Sequence, residues 1–248
     1  VGHAVGTGAT EVVVGLGGSG TNDGGAGLLG ALGASSDRPL DQGAAGLDGV
    51  TSVDLAPIRD RLAGVSLVCA SDSDAPLTGL FGTTRTSGVP KGIAEERLPA
   101  VDGVLEQLAA ATDRRTALLK GAGAGGGLGF ALMLLGARCR PGFDVVAEAV
   151  DLAERARAAD LVLTGEGAFD FSSGSGTVPY GVASMAAEAL RPCVALAGQV
   201  LVGSREMRTL GFESAHSVVD LVGEERALDD PGASLAELAA RVARGWSR

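Results

Sequence analysis

Lysine is nearly missing from this chain: its 248 residues hold two, Lys91 and Lys120, and arginine supplies the other cations. The formal net charge is −10, which argues against nucleic acid or an anionic membrane surface as a partner. An anionic ligand must therefore be met by a few placed Arg or Lys groups and by backbone N–H. Histidine is equally scarce, with only His3 and His216, far apart in sequence; zinc hydrolysis lacks its ligands. The three cysteines, Cys69, Cys139 and Cys193, form neither a zinc pattern nor an even disulfide set. They read as buried thiols in a reducing cytoplasm. No apolar run approaches the roughly eighteen residues of a membrane span. No charged segment, apolar stretch and cleavage site open the chain, so secretion is not indicated. The first residue is Val1, not Met, which leaves upstream residues open.

Glycine is what the chain has in excess, with 40 residues against a usual share of about 7%. They are neither spread as a linker nor repeated with a collagen period. They gather in "GLGGSGTNDGGAGLLGALG" from residue 15 and "GAGAGGGLG" from residue 121, with apolar residues woven in. Tight turns and close backbone approach follow from that mixture, rather than disorder.

Short Val- and Leu-rich runs predict strands at 11–15, 65–70, 161–164, 193–196 and 217–221. Helical spacing predicts helices at 101–111, 143–158, 180–190, 204–210 and 234–246, the last with Ser234 and Glu237 as a capping-box pair. Residues 143–248 thus alternate helix and strand as in a layered parallel sheet. Residues 1–142 have fewer strands and more glycine loops. The fold class expected is α/β, with a glycine-rich α/β domain at 1–142 and a Rossmann-like parallel-sheet part at 143–248.

Several chemistries can be weighed at the first glycine loop. Gly15, Gly17 and Gly20 fit a dinucleotide fingerprint, but that fold also wants an acid about twenty positions on, at a strand end. Asp37 and Asp41 stand at that distance in a loop, "SSDRPLDQG", with no apolar run before it. A Walker loop is excluded because no Gly-Lys-Ser/Thr follows a glycine run. Neither Ser19 nor Ser175 sits in the Gly-x-Ser-x-Gly of a hydrolase nucleophile, and His216 reads as a packed or surface residue.

What remains is a set of acids and amides just after predicted strands: Asn22 and Asp23, then Asp72 and Asp74, then Glu166 and Asp170. In open α/β sheets ligands bind at the carboxyl ends of strands. Carboxylates gathered there suit Mg²⁺, or one could deprotonate a substrate hydroxyl. The plainer alternative is that each caps a helix or makes an Asx-turn.

Four ordered motifs, "VVVGLGGSGTNDGGAG", "ASDSDAPLTG", "GAGAGGGLGFALMLLGA" and "ADLVLTGEGAFD" followed by "PYGVA", closely resemble those of the type I glycerate kinases over essentially the whole chain. The resemblance implies transfer of the γ-phosphoryl group of ATP to D-glycerate with Mg²⁺, on a Rossmann-like domain joined to a second α/β domain. Its partners would be small molecules, glycerate and ATP, without nucleic acid or membrane. Gly17, Gly18, Ser19 and Thr21, with Gly123, Gly125 and Gly126, would offer backbone N–H to phosphate. Asn22, Asp23, Asp72 and Asp74 would meet substrate or metal, Lys91 would be the cation, and Glu166 and Asp170 the metal ligands or base.

The chain departs from the family pattern in four places. Family members begin earlier, with a strand and a Lys-Gly-Ser motif; the second sheet would then expose an apolar edge or face to a dimer partner or to upstream residues. "SGVPKG" keeps Gly88, Lys91 and Gly92 of a longer family motif. Ala168 stands where Arg is usual, and Thr177 where Lys is usual. Two missing cations favour a second reading, a catalytically weak relative that senses glycerate or a nucleotide.

Overall fold

In the computed structural model the chain forms two compact units, Val1–Gly142 and Phe143–Arg248. The structure describes residues 1–170 and 177–246; Ser175 lies outside them.

The first unit is built on a parallel sheet. Strand β1 (Glu11–Gly15) opens it; β2 (Ser35–Ser36) and β3 (Val53–Asp54) form a small antiparallel pair beside it in sequence. Strands β4 (Ser66–Ala70) and β5 (Arg138–Arg140) complete the main sheet in the order β1-β4-β5. Val12, Leu67 and Cys69 from its strands join Leu29, Ile58 and Leu132 in one core cluster. A second cluster gathers Leu47, Leu77, Leu105, Leu108 and Phe130. The helix Leu98–Ala111 enters that cluster because Leu105 and Leu108 recur on one face. It begins earlier than its periodicity predicts, with Pro99 in the first turn, a position where the missing N–H costs nothing.

The second unit has β6 (Val162–Thr164), β7 (Ala168–Phe169), β8 (Cys193–Ala197), β9 (Gln199–Val200) and β10 (Ser214–Ser217). Strands β6, β8 and β10 lie parallel in the order β10-β8-β6, and β7 pairs with β9. Ala156, Val162, Phe169, Val182, Ala186, Met207 and Phe212 pack on one side, with the Phe169 and Phe212 rings edge-on at 4.9 Å. The other side is thinner, a cluster of Val218, Ala227 and Leu238. Leu163, Leu201 and Leu228 remain largely exposed. No helix among the described residues is long and apolar enough to cross a membrane.

Four local expectations are corrected. The strand expected at 217–221 ends at Ser217, and Val218–Val222 is a helix. The reason is a cap: Asp220 N–H donates to Ser217 Oγ at 3.1 Å, which overrides the β-branched run. The helix expected at 143–158 is two, Gly142–Ala149 and Leu152–Ala158, because Asp151 turns left-handed at φ 53°. The last helix starts at Pro231, so Ser234 lies inside it, and Glu237 instead pairs with Arg226 at 2.8 Å. Asp230 does the capping, accepting from Ala233 N–H. Finally, Cys69 and Cys193 are buried but Cys139 is exposed, since β5 is a short edge strand.

Candidate active site

The two glycine loops meet in the first unit. Gly24 N–H donates to Gly126 O at 3.0 Å, and a Cβ on Gly126 would collide with the carbonyl oxygen of Thr21. Gly125, Gly126 and Gly127 all hold positive φ, so regular helix begins only after them. Side chains here would both strain the backbone and push the loops apart. Glycine is therefore needed for loop-on-loop packing, whatever the loops bind.

That packing leaves a cavity of about 440 Å³ at the carboxyl ends of β1 and β4. Its floor is backbone: Gly17 and Gly18 on one side, Gly123 and Gly125 on the other. Its walls are hydroxyls, from Ser19, Ser73, Thr83, Thr86 and Ser87. Lys91 is the one charged side chain among the described residues lining it. Its ammonium donates to Ser19 Oγ at 3.1 Å and to the Thr21 carbonyl at 2.7 Å. Desolvation lowers the Lys91 pKa, and the nearby Asp23 charge opposes that shift. A partly dried cation among hydroxyls and glycine backbone is suited to an anion.

The other residues expected here are used differently. Asp23 accepts from Gly25 N–H at 2.9 Å and Gly27 N–H at 3.1 Å, which holds the entry to the helix Ala26–Leu32. Asn22 is buried and donates to Thr84 Oγ1 at 3.0 Å, while its Oδ1 has no partner among the described residues. Asp72 accepts from Gly142 N–H at 2.9 Å, and Asp74 pairs with the exposed Lys120 at 2.9 Å. Asp37 accepts from the N–H and hydroxyl of Thr51 and from Ser52 N–H, so it anchors a loop rather than a ribose. Sequence reasoning passed over Thr83, Thr86 and Ser87. The segment "GTTRTSG" has no apolar period to mark it, only a density of hydroxyls.

In the second unit, Glu166 follows β6 and Asp170 follows β7. The loop between them is pinned by Gly198 N–H to Glu166 O at 3.1 Å and Gln199 N–H to Gly167 O at 2.9 Å. Glu166 lines a cavity of about 690 Å³ at the carboxyl ends of β6, β8 and β10. Asp170 is half-buried and is not among the residues lining it. His216 lies within β10, its ring 3.0 Å from Ser214 Oγ and its pKa lowered by burial and then by Arg241. It is half-buried and lines a separate cavity of about 550 Å³.

Residues 1–247 match the family described as "Glycerate kinase family". The chain is 37% identical over 231 residues to the "Glycerate kinase" of Bacillus subtilis, covering 88% of this chain and 60% of that protein. It is 34% identical to the "Glycerate 2-kinase" of Escherichia coli, over 89% of this chain and 60% of that one. A crystal structure titled as a putative glycerate kinase 2 from Salmonella typhimurium superposes with a TM-score of 0.79 at 34% identity, covering 99% of this chain and 66% of that chain. The chain thus spans about 60% of the length of the curated relatives it matches. With the ordered glycine loops, the paired parallel sheets and these matches together, the chain belongs to the glycerate kinase family.

Proposed function

We propose that this protein phosphorylates D-glycerate with ATP, as a cytoplasmic enzyme. The observation that supports it most is the first unit's hydroxyl- and glycine-lined cavity, with the Lys91 ammonium held by Ser19 Oγ and the Thr21 carbonyl. Relatives whose names state glycerate kinase activity favour turnover over the sensor reading. Three free cysteines, two of them buried, suit a reducing compartment.

Phosphoryl transfer asks the protein mainly for positioning and charge stabilisation. Lys91 and the N–H groups of Gly17, Gly18 and Gly125 hold the anionic group; those of Gly123 and Gly126 are spent on the carbonyls of Ala75 at 2.8 Å and Gly123 at 3.1 Å. Ser19 and Thr21 hold Lys91 in place, and Gly126 keeps the loops together. Asn22, Asp23, Asp72 and Asp74 are engaged by the backbone, Thr84 or Lys120; they position the loops that end at the ligand.

Asp170 supplies the working carboxylate. Mg²⁺ is commonly held by one or two carboxylates together with substrate phosphates. Asp170, just after β7, would be one such carboxylate. When bound, the ion neutralises charge on the β- and γ-phosphates. Asp170 would hold it or take the proton from the attacking hydroxyl. The oxygen–phosphorus bond to glycerate forms, the bond to the β-phosphate oxygen breaks, and ADP leaves. A coupled assay with D-glycerate, ATP and Mg²⁺ tests the reading: ADP should form only when glycerate is present. No glycerate-dependent ADP from the folded protein would overturn it.

A further inference from the structure

The second unit's cavity differs in chemistry from the first. Leu196, Val218, Val219, Leu228 and Leu235 wall it, and its volume of about 690 Å³ lies within the roughly 300–1,000 Å³ of small-molecule sites. No Lys or Arg occurs among the described residues lining it, whereas Glu166 and Glu224 do. Phosphate and glycerate, both anions, are therefore poor occupants. A bare sugar would leave its hydroxyls facing leucine, and unpaired polar groups are costly to bury.

One buried polar atom lacks a partner there. Glu166 Oε1 is shielded from solvent and has no hydrogen-bond partner among the described residues. Its backbone is fixed, because its own carbonyl accepts from Gly198 N–H and the next residue's from Gln199 N–H. Gly165 also sits so close to the Leu196 carbonyl that a Cβ would collide with it. The backbone that carries the acceptor is therefore held in place before any ligand arrives.

We infer that this cavity takes the adenine ring of ATP, with its exocyclic amino group donating to Glu166 Oε1. The inference rests on the kinase reading above and deepens it. A flat heterocycle has apolar faces for the leucine and valine walls, and an amino edge for the single stranded acceptor. Glu166 is thereby a specificity residue, distinct in role from Asp170. The sheet-end position is the usual place for ligands in open parallel sheets.

Binding of ADP and of inosine diphosphate (IDP), measured by calorimetry on the full chain without glycerate, tests it. The two differ at position 6 of the ring, where hypoxanthine carries a carbonyl acceptor instead of the amino donor. ADP should bind at least about tenfold more tightly, as expected when a buried hydrogen bond is made rather than left unmade. Glu166→Gln should shrink that preference to about threefold or less, because an amide can donate to the carbonyl. Leu235→Trp, at a half-exposed helix position, should weaken both nucleotides about tenfold by filling the slot, an estimate resting on apolar burial and overpacking. Equal affinities in the parent, or a preference unchanged by Glu166→Gln, would overturn the assignment. Glycerate-dependent turnover with that unchanged preference would sink the adenine site alone; absence of both nucleotide binding and turnover would sink the kinase reading as well.

Discussion

The two units solve the same geometric problem with opposite chemistry. Each opens a cavity at the carboxyl ends of its parallel strands. In the first unit the walls are hydroxyls and glycine backbone around one lysine; in the second they are leucine and valine around an acid. In a chain with two lysines and a net charge of −10, bulk attraction cannot bring an anion in, so the first cavity must do it locally. The second needs no cation, because what it would hold is neutral. Recognition is divided by charge as well as by position.

That contrast can be broken most severely at the glycine seam. Gly126→Ala should destabilise the first unit by about 3 kcal/mol or more, from positive φ and the collision with Thr21 O. Thermal melting should show the loss, and a melting point unchanged within about 2 °C, well inside the shift expected per kcal/mol, would contradict the seam.

The carboxylate comes next. Asp170→Asn keeps the shape but removes a metal-binding charge and a proton acceptor, so kcat should fall at least ~10²-fold in a protein that still folds. Unchanged turnover would reduce Asp170 to a turn residue.

Lys91→Met should raise the KM for the anionic substrate about tenfold, in keeping with the loss of a charge-assisted hydrogen bond. The parent should show a matching pH dependence. The favourable charge is present below the folded-state pKa of Lys91 and is lost as pH rises through it. Since that pKa lies below the ordinary 10.5, KM should begin to climb earlier than for an exposed lysine. A flat KM across that range would exclude Lys91 from the anion site.

Asp37 tests the loops rather than the cavities. Hydrogen bonds from Thr51 and Ser52 hold its carboxyl at about 2, below the ordinary 3.8. The stability it contributes is full above the ordinary value and is lost as pH falls through about 2. Asp37→Asn should therefore lower the melting temperature at neutral pH and flatten its fall between these values.

The smallest effect is expected at Leu190, which follows the helix Val178–Glu188 with φ 56° and is 88% exposed. Leu190 N–H donates to Ala187 O and Arg191 N–H to Ala186 O, the pair of bonds that closes helices around a left-handed residue. Leu190→Gly should stabilise the second unit by about 0.5–1 kcal/mol. A loss in melting temperature would mean that the leucine makes contacts of its own.

Legibility followed the physics of each element. Strands β1, β4, β6 and β8 could be read from their Val- and Leu-rich runs: β1 runs over Glu11–Gly15 as expected, and the others differ by a residue at one end. The parallel strands β5, β7 and β9 were not expected, because two or three residues each carry no such run. Val218–Val222 has the same composition, yet the Ser217 cap makes it a helix. One left-handed residue, Asp151, was enough to split a helix that periodicity made continuous. At the site, the glycine loops could be recognised as special, but not that they pack on each other. The approach of Lys91 to Ser19 spans seventy-two positions, and only the family resemblance singled that lysine out. The hydroxyl walls and the leucine slot were hidden because no local pattern distinguishes a cavity wall from a core.

The division of recognition by charge is most directly tested by backbone amide NMR, titrating adenosine and inorganic phosphate separately into the protein. Adenosine should move resonances at 165–167 and 218–219 and leave 17–19 and 123–125 in place. Phosphate should do the reverse, and its shifts should vanish in Lys91→Met. Both ligands moving the same set of amides, or phosphate shifts that survive Lys91→Met, would contradict the account.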